Sequence, residues 1–276
     1  MSDRGGIVRD TYGRALRTGA VVAAGMALLA ACSPGDGGGD GKPPRSTPST
    51  SASGTPTPSP TASGRVVTLD PKKAPRTAAE AKRLALAVVA GPDAWGPEYV
   101  ERSPFLSAPG SWPVLDEQCT WEAGSLPGSV LYSVTSYSEI PAAGGKGVVR
   151  VAATVTIHRT GSDAGWEMAE TLEEALRCTD QRLSEGERIS GLTSVSPPYD
   201  EHSTTDDLIV ERGSYLNDAF EKPQFYTWFQ TRIGQVSFAT VIKGAPGYTE
   251  ANITDAQVRA NVIMQDRVKK QWGAQS

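Results

Sequence analysis

Histidine is scarce in this chain: there are two in 276 residues, His158 and His202. Familiar catalytic signatures are missing as well. The sequence contains no GxSxG, no HExxH, no Walker-type loop and no GxGxxG. These absences remove the common routes to serine hydrolysis, zinc chemistry and dinucleotide binding. His202 sits in an acidic stretch with Asp200, Glu201, Asp206 and Asp207. That stretch lacks the ligand spacing of a divalent-cation loop and reads as a solvated surface loop. Glu170, Glu173 and Glu174 are expected on an outward helical face as solubilising charge. No acid, base or nucleophile converges, so the chain is read as non-catalytic, with no metal and no cofactor.

Basic clusters are also lacking. The formal net charge is −4, and the doublet Lys269-Lys270 is too short to be a nucleic-acid footprint or a membrane patch. No apolar run is long enough to span a bilayer. The longest, residues 19–31, has thirteen uncharged residues, against the ~20 a spanning helix needs. Arg4, Arg9, Arg14 and Arg17 precede that run, and Leu29-Ala30-Ala31-Cys32 ends it. A basic start, a short apolar middle and small residues before a cut form a secretory signal peptide. With cysteine after the cut, the pattern resembles the bacterial lipobox. That resemblance implies a diacylglycerol thioether on Cys32 and removal of residues 1–31, leaving a net charge of about −6.

Residues 33–64 hold seven Ser, five Thr, seven Pro and seven Gly, and no large apolar side chain. Such a composition cannot bury enough surface to offset its ordering entropy, so a disordered tether is expected. It would span roughly 30 Å root-mean-square as a coil. The division is therefore signal peptide 1–31, anchored linker 32–64 and one extracellular domain over 65–276. Two cysteines remain in that domain, Cys119 and Cys178. In an exported chain an even pair is most simply a disulfide.

The domain alternates helical and strand patterns. Thr77 and Glu80 form a capping box ahead of a helix to about residue 90, with Ala81, Leu84, Ala85 and Val88 inward. Residues 93–113 show no clear period and are read as an ordered loop that can hold a short helical turn. Strands are expected at 130–138 and 149–157, the second with odd positions inward. Ser162 is expected to cap a helix to about Leu183, buried through Trp166, Ala169, Leu172 and Leu176. Further strands are expected at 187–196 and 208–215. A hairpin at 225–233 and 236–243 turns at Gly234-Gln235. A last helix opening at Thr254 would bury Val258 and Val262, with Met264 or Val268. The class is α+β: an antiparallel sheet with helices packed on one face and one disulfide.

If the odd residues of 149–157 face the core, the opposite sheet face carries Arg150, Thr154, Thr156, Tyr226, Trp228, Gln230 and Arg232. Aromatic and guanidinium groups on an open sheet can make a recognition groove. Arg150, Tyr226, Trp228 and Arg232 are its candidate binding residues. The plain alternative is a face covered by loops or a helix, with Trp228 as ordinary core.

Cys119-Thr120-Trp121, the two strands, the Trp166 helix ending Ala175-Leu176-Arg177-Cys178, the Gly234 hairpin and the final helix together resemble the extracellular sensor domain of mycobacterial PknH-type kinases. Related domains occur in actinobacterial lipoproteins. The resemblance covers about Cys119 to Trp272 and rests on order and spacing. It implies a disulfide-bearing α+β domain with a ligand cleft. That family has two disulfides, whereas one cysteine pair is available here, and no kinase portion is present. The expected function is a lipid-anchored lipoprotein on the outer face of the cytoplasmic membrane, with a non-catalytic domain for an unknown ligand or cell-envelope partner. The alternatives are a carrier of lipid or hydrophobic solute and a cell-wall enzyme.

Lipidation is directly testable. Intact-mass analysis of the membrane fraction is expected to show a chain beginning at Cys32 with an added diacylglycerol. A Cys32→Ala variant that stays equally membrane-bound would refute the anchor.

Overall fold

The computed structural model describes residues 69–195 and 204–273. The segments read as signal peptide and linker, with Cys32, and His202 lie outside the described residues.

Ten strands and four helices follow one another in the described chain. Helix α1 (Ala78–Val88) and the short α2 (Pro92–Trp95) come first. Next are β1 (Val100–Leu106), β2 (Ser111–Leu115), β3 (Trp121–Ser125), β4 (Val130–Ile140) and β5 (Val149–His158). Helix α3 (Gly161–Arg177) leads into β6 (Gln181–Ser184), β7 (Glu187–Val195), β8 (Asp207–Asn217), β9 (Gln224–Ile233) and β10 (Val236–Lys243). Helix α4 (Glu250–Trp272) closes the fold. Eight strands form one sheet in the order β1-β4-β5-β10-β9-β8-β7-β6, and β2-β3 is a separate hairpin. Every neighbouring pair in the sheet is antiparallel. The expected α+β class is the observed one.

The hairpin register follows from the turn. Gly234 adopts φ 60°, which a side chain would resist, and Ile233 pairs with Val236, Phe229 with Thr240 and Trp228 with Val241. In β5 the odd residues Val149, Val151, Ala153, Val155 and Ile157 are all buried. They pack with Phe238 and Ile242 of β10 against α1, α2 and α4, forming the main core. Trp95, 1% exposed, fills the gap between α2 and this core. Gln257 of α4 is the polar exception. Its side chain accepts from Thr227 Oγ1 at 2.6 Å and donates to Thr240 O at 2.9 Å. Left unpaired, each buried group there would cost about 1–3 kcal/mol.

Several boundaries differ from expectation. The short helical turn expected in the 93–113 segment is α2, but the rest of it holds β1 and the start of β2 rather than a loop, and β3 and β6 are additional strands. Thr160, not Ser162, caps α3, because its hydroxyl reaches Asp163 N and the Asp163 carboxylate returns to Thr160 N. Helix α3 ends at Arg177, with Cys178 as its C-cap. Thr249, not Thr254, caps α4, in a capping box with Asn252. The buried stripe of α4 is Ile253, Ala256, Gln257, Ala260, Met264, Val268 and Trp272, while Val258 and Val262 are exposed. The earlier start and the polar anchor at Gln257 set that rotation.

The largest departure concerns α3. Three helices pack on one sheet face as expected, but α3 crosses the other face. Its Thr171 hydroxyl donates to Gln230 Oε1 of β9 at 2.7 Å, and Ala175 packs among Ile189, Leu192, Tyr215 and Tyr226. The buried residues are Ala164, Met168 and Ala175, whereas Trp166 is 68% and Leu176 83% exposed. Against the expected stripe this is a shift of one residue, about 100° of rotation about the helix axis.

Cys119 and Cys178 form a disulfide with Cα atoms 5.5 Å apart. It ties the turn of the β2-β3 hairpin to the end of α3. In the chain-entropy model a loop of this length contributes about 4 kcal/mol.

Candidate binding cavity

The register places the residues of the second sheet face in rows across the strands. One row runs Tyr137, Ala152, Val241, Trp228, Glu211 from β4 to β8. The next holds Thr135, Thr154, Ala239, Gln230 and Ile209, and a third holds Ser133, Thr156, Ser237, Arg232 and Asp207. On the other side of the Trp228 row lie Glu139, Arg150, Lys243 and Tyr226. Most of these side chains are polar, charged or aromatic, unlike the aliphatic face that α1 and α4 cover.

Helix α3 and the β2-β3 hairpin stand over this face without filling the space beneath them. A cavity of about 490 Å³ remains, lined by Trp112 and Trp121 of the hairpin, Glu167, Glu170, Thr171 and Glu174 of α3, and the sheet rows. The hairpin is held in place by its base. Trp121 Nε1 donates to Gln181 Oε1 at 2.8 Å, Arg182 N donates to Cys119 O at 2.8 Å, and Arg177 Nη1 donates to Asp116 O at 3.0 Å.

Three of the four expected binding residues come together. Arg150, Tyr226 and Trp228 line the cavity. Trp228 is partly buried, and its indole N–H has no hydrogen-bond partner. Arg232 does not line it. That guanidinium turns to the sheet edge, where it pairs with Asp206 at 3.1 Å and with Asp207. The face is therefore roofed, as the plain alternative required, yet hollow, as a groove requires. Thr154, Thr156 and Gln230 also line it.

Glu174, half-buried, faces the cavity rather than outward, because α3 is rolled; Glu170 lines the cavity at its rim while staying exposed, and Glu173 is turned to solvent. Glu211 is 6% exposed, and its Oε1 has no partner. Burial pushes the Glu211 carboxyl up to about 7, with the Glu174 charge adding to it and a hydrogen bond from Ser194 opposing it. Burial likewise raises Glu174 to about 7, and Glu170 adds to the shift while Arg177 opposes it. The cationic side chains of the cavity are already engaged. Arg150 and Lys243 bond Glu187 at 2.9 and 2.8 Å, and Arg102 lies 4.8 Å over the Tyr137 ring. Burial works against the Glu187 carboxylate, but Lys243 outweighs it and holds its pKa below the usual value.

His158, 3% exposed in its side chain, lies at the end of β5 beside the lining residues Glu167 and Ser237. Its Nε2 lies 2.8 Å from Glu167 Oε2 and 3.3 Å from Ser237 Oγ, and the Ser237 hydroxyl also bonds Glu167. The residue types are those of a hydrolytic triad, but the geometry is not. Serine and carboxylate share one imidazole nitrogen, and Nδ1 has no partner. A relay needs the carboxylate on the opposite nitrogen. Among the described residues no cluster of His, Cys, Asp and Glu is arranged to hold a metal ion, and no helix is long and apolar enough to cross a membrane.

No family model and no curated protein matches the chain.

The raised carboxyls carry a stability consequence. Between about 4.5, the ordinary glutamate value, and about 7, the unfolded chain ionises Glu211 while the folded chain holds it neutral. Stability from this group is therefore present below about 4.5 and is lost as pH rises through about 7. Thermal denaturation of Glu211→Gln is expected to show a smaller fall in midpoint between pH 5 and pH 8 than the parent chain. Parallel curves would mean that Glu211 ionises in the fold without penalty.

Proposed function

We propose that the chain is a cell-surface lipoprotein whose domain binds a ligand without catalysis, tethered through Cys32 and the 33–64 linker. The observation that carries the binding reading is the cavity of about 490 Å³ between the sheet, α3 and the β2-β3 hairpin. Its volume lies within the range of small-molecule sites, and it combines aromatic walls with a few polar groups lacking partners. Shared use of His158 Nε2 by Ser237 and Glu167 speaks for a positioning network rather than a nucleophile. The proposal includes the resemblance to sensor domains of PknH-type kinases. Two features support it: the Cys119–Cys178 disulfide and a hollow on the sheet face. A lipid carrier is the weaker reading, because the unpartnered Glu211 Oε1 and Trp228 Nε1, and the Glu174 carboxyl beside them, would find no polar group on an acyl chain.

Trp228 is the discriminating side chain. It is not sealed in the main core, so Trp228→Ala is expected to change the thermal midpoint little. A small-molecule screen read by indole fluorescence on the full chain is expected to yield ligands whose binding falls at least tenfold in that variant. Ligands that bind the variant undiminished would remove the cavity as the binding site. A large loss of stability would return Trp228 to the core.

A further inference from the structure

From the paired geometry of Glu211 and Trp228 we infer that the cavity takes a protonated amine carried on an apolar, ring-sized body. This rests on the reading that the cavity is a ligand site, and adds the chemical class of its occupant.

Glu211 and Trp228 are directly opposite one another on β8 and β9, with side chains on the same sheet face. Each ends in a buried polar atom without a partner: carboxylate Oε1 on Glu211 and the indole N–H on Trp228. In a folded domain such orphans are rare, because each forgoes the hydrogen bond it had in water. Glu211 is more than nine-tenths buried, so bulk solvent does not supply a donor to Oε1, and the Ser194 hydroxyl opposite it on β7, which bonds the carboxyl, brings no charge. An ammonium group is the donor best matched to a desolvated carboxylate, since a charge-assisted hydrogen bond is about twice as strong as a neutral one. The rings around it favour the same group. Trp112, Trp121, Tyr226 and Trp228 line the cavity, and the face of an indole attracts a cation.

The charge pattern selects against the opposite choice. An anion entering here would meet Glu167, Glu170, Glu174 and Glu211. The basic residues that line the cavity are engaged elsewhere, Arg150 and Lys243 with Glu187 and Arg102 with a tyrosine ring. Arg177 acts on Glu174 but is bonded to Glu173 and the Asp116 carbonyl. On β5 and β10, His158 and Ser237 both turn to Glu167, so none of the described elements packed on α3 brings a free cation to Glu174 or Glu211. The ligand supplies that charge.

Protons and ligand then compete. Both carboxyls titrate near 7 while an alkylamine stays protonated well above that, so affinity rises with pH across this range. The uptake of the amine expels protons from the site.

The test uses the full chain and a matched panel: phenethylamine, tryptamine and cyclohexylmethylamine, each against the alcohol of the same skeleton. Binding is followed by NMR chemical-shift changes of the tryptophan indole N–H signals at pH 6 and pH 8. The amines are expected to bind at least tenfold tighter than their alcohols at pH 8, and the preference to shrink at pH 6. Glu211→Gln is expected to abolish the preference; Glu173→Gln, on the solvent side of α3, is expected to keep it. Equal binding of amine and alcohol, or a preference that survives Glu211→Gln, overturns the amine assignment and leaves the cavity standing as a ligand site. No binding by any member overturns the amine assignment, and if Trp228→Ala also leaves all screened ligands unaffected, the cavity reading falls with it.

Discussion

The polar face of the sheet governs how the rest of this domain is arranged. Antiparallel strands alternate their side chains, so a strand that gives valine to one side gives something else to the other. In β5 the other side is Arg150, Ala152, Thr154, Thr156 and His158. β4 and β9 add Ser133, Thr135 and Gln230. A helix laid over such a surface must bring hydrogen-bonding groups or leave buried polar atoms unpaired. Helix α3 brings them. Thr171 bonds Gln230, and Glu167 bonds His158 and Ser237. Those bonds fix its rotation, and the rotation leaves Trp166 and Leu176 in solvent. The usual amphipathic rule is inverted here because the surface underneath is inverted.

The cavity and its acidity follow from the same cause. Ala164, Thr171 and Ala175 keep the contact side of α3 short, and the bulky hairpin residues Trp112 and Trp121 hold the opposite wall. Glutamates that would be ordinary solvent charge on an outward helix face become partly desolvated groups facing one another and Glu211. Desolvation disfavours the charged form and repulsion between carboxylates adds to it, which is why burial leads and neighbouring charge follows in raising Glu174 and Glu211. The disulfide completes the frame by fastening the hairpin to the end of α3.

Strand pairing was legible in the sequence because it is local. The Gly234 turn sets a register that the observed pairing reproduces residue for residue, and strict alternation marked the odd side of β5 as core. The cysteine pair was legible because few alternatives existed. What was not legible depends on partners distant in sequence. β1, β2 and β3 carry Pro, Gly and Ser and lack clean alternation, being edge or hairpin strands with exposed faces. The roll of α3 could not be read from its own pattern, where Trp166, Leu172 and Leu176 argue for burial. The signal lay instead in the hydroxyls of β4 and β5, which announced a polar surface needing a polar cover. Arg150, Tyr226 and Trp228 were found by alternation; Arg232 failed because Asp206 and Asp207 draw it away at the strand end. Glu174 and Glu211 were missed because a carboxylate reveals its burial only through its neighbours.

The inward roll of α3 is the claim on which the cavity, its charge and its ligand class all depend. Carbon-13 NMR titration of the glutamate carboxyls in the free protein measures it directly. The account predicts that the Glu174 and Glu211 resonances titrate near pH 7. Titration of Glu174 and Glu211 near the ordinary glutamate value of about 4.5 would place these carboxyls in water and contradict the account.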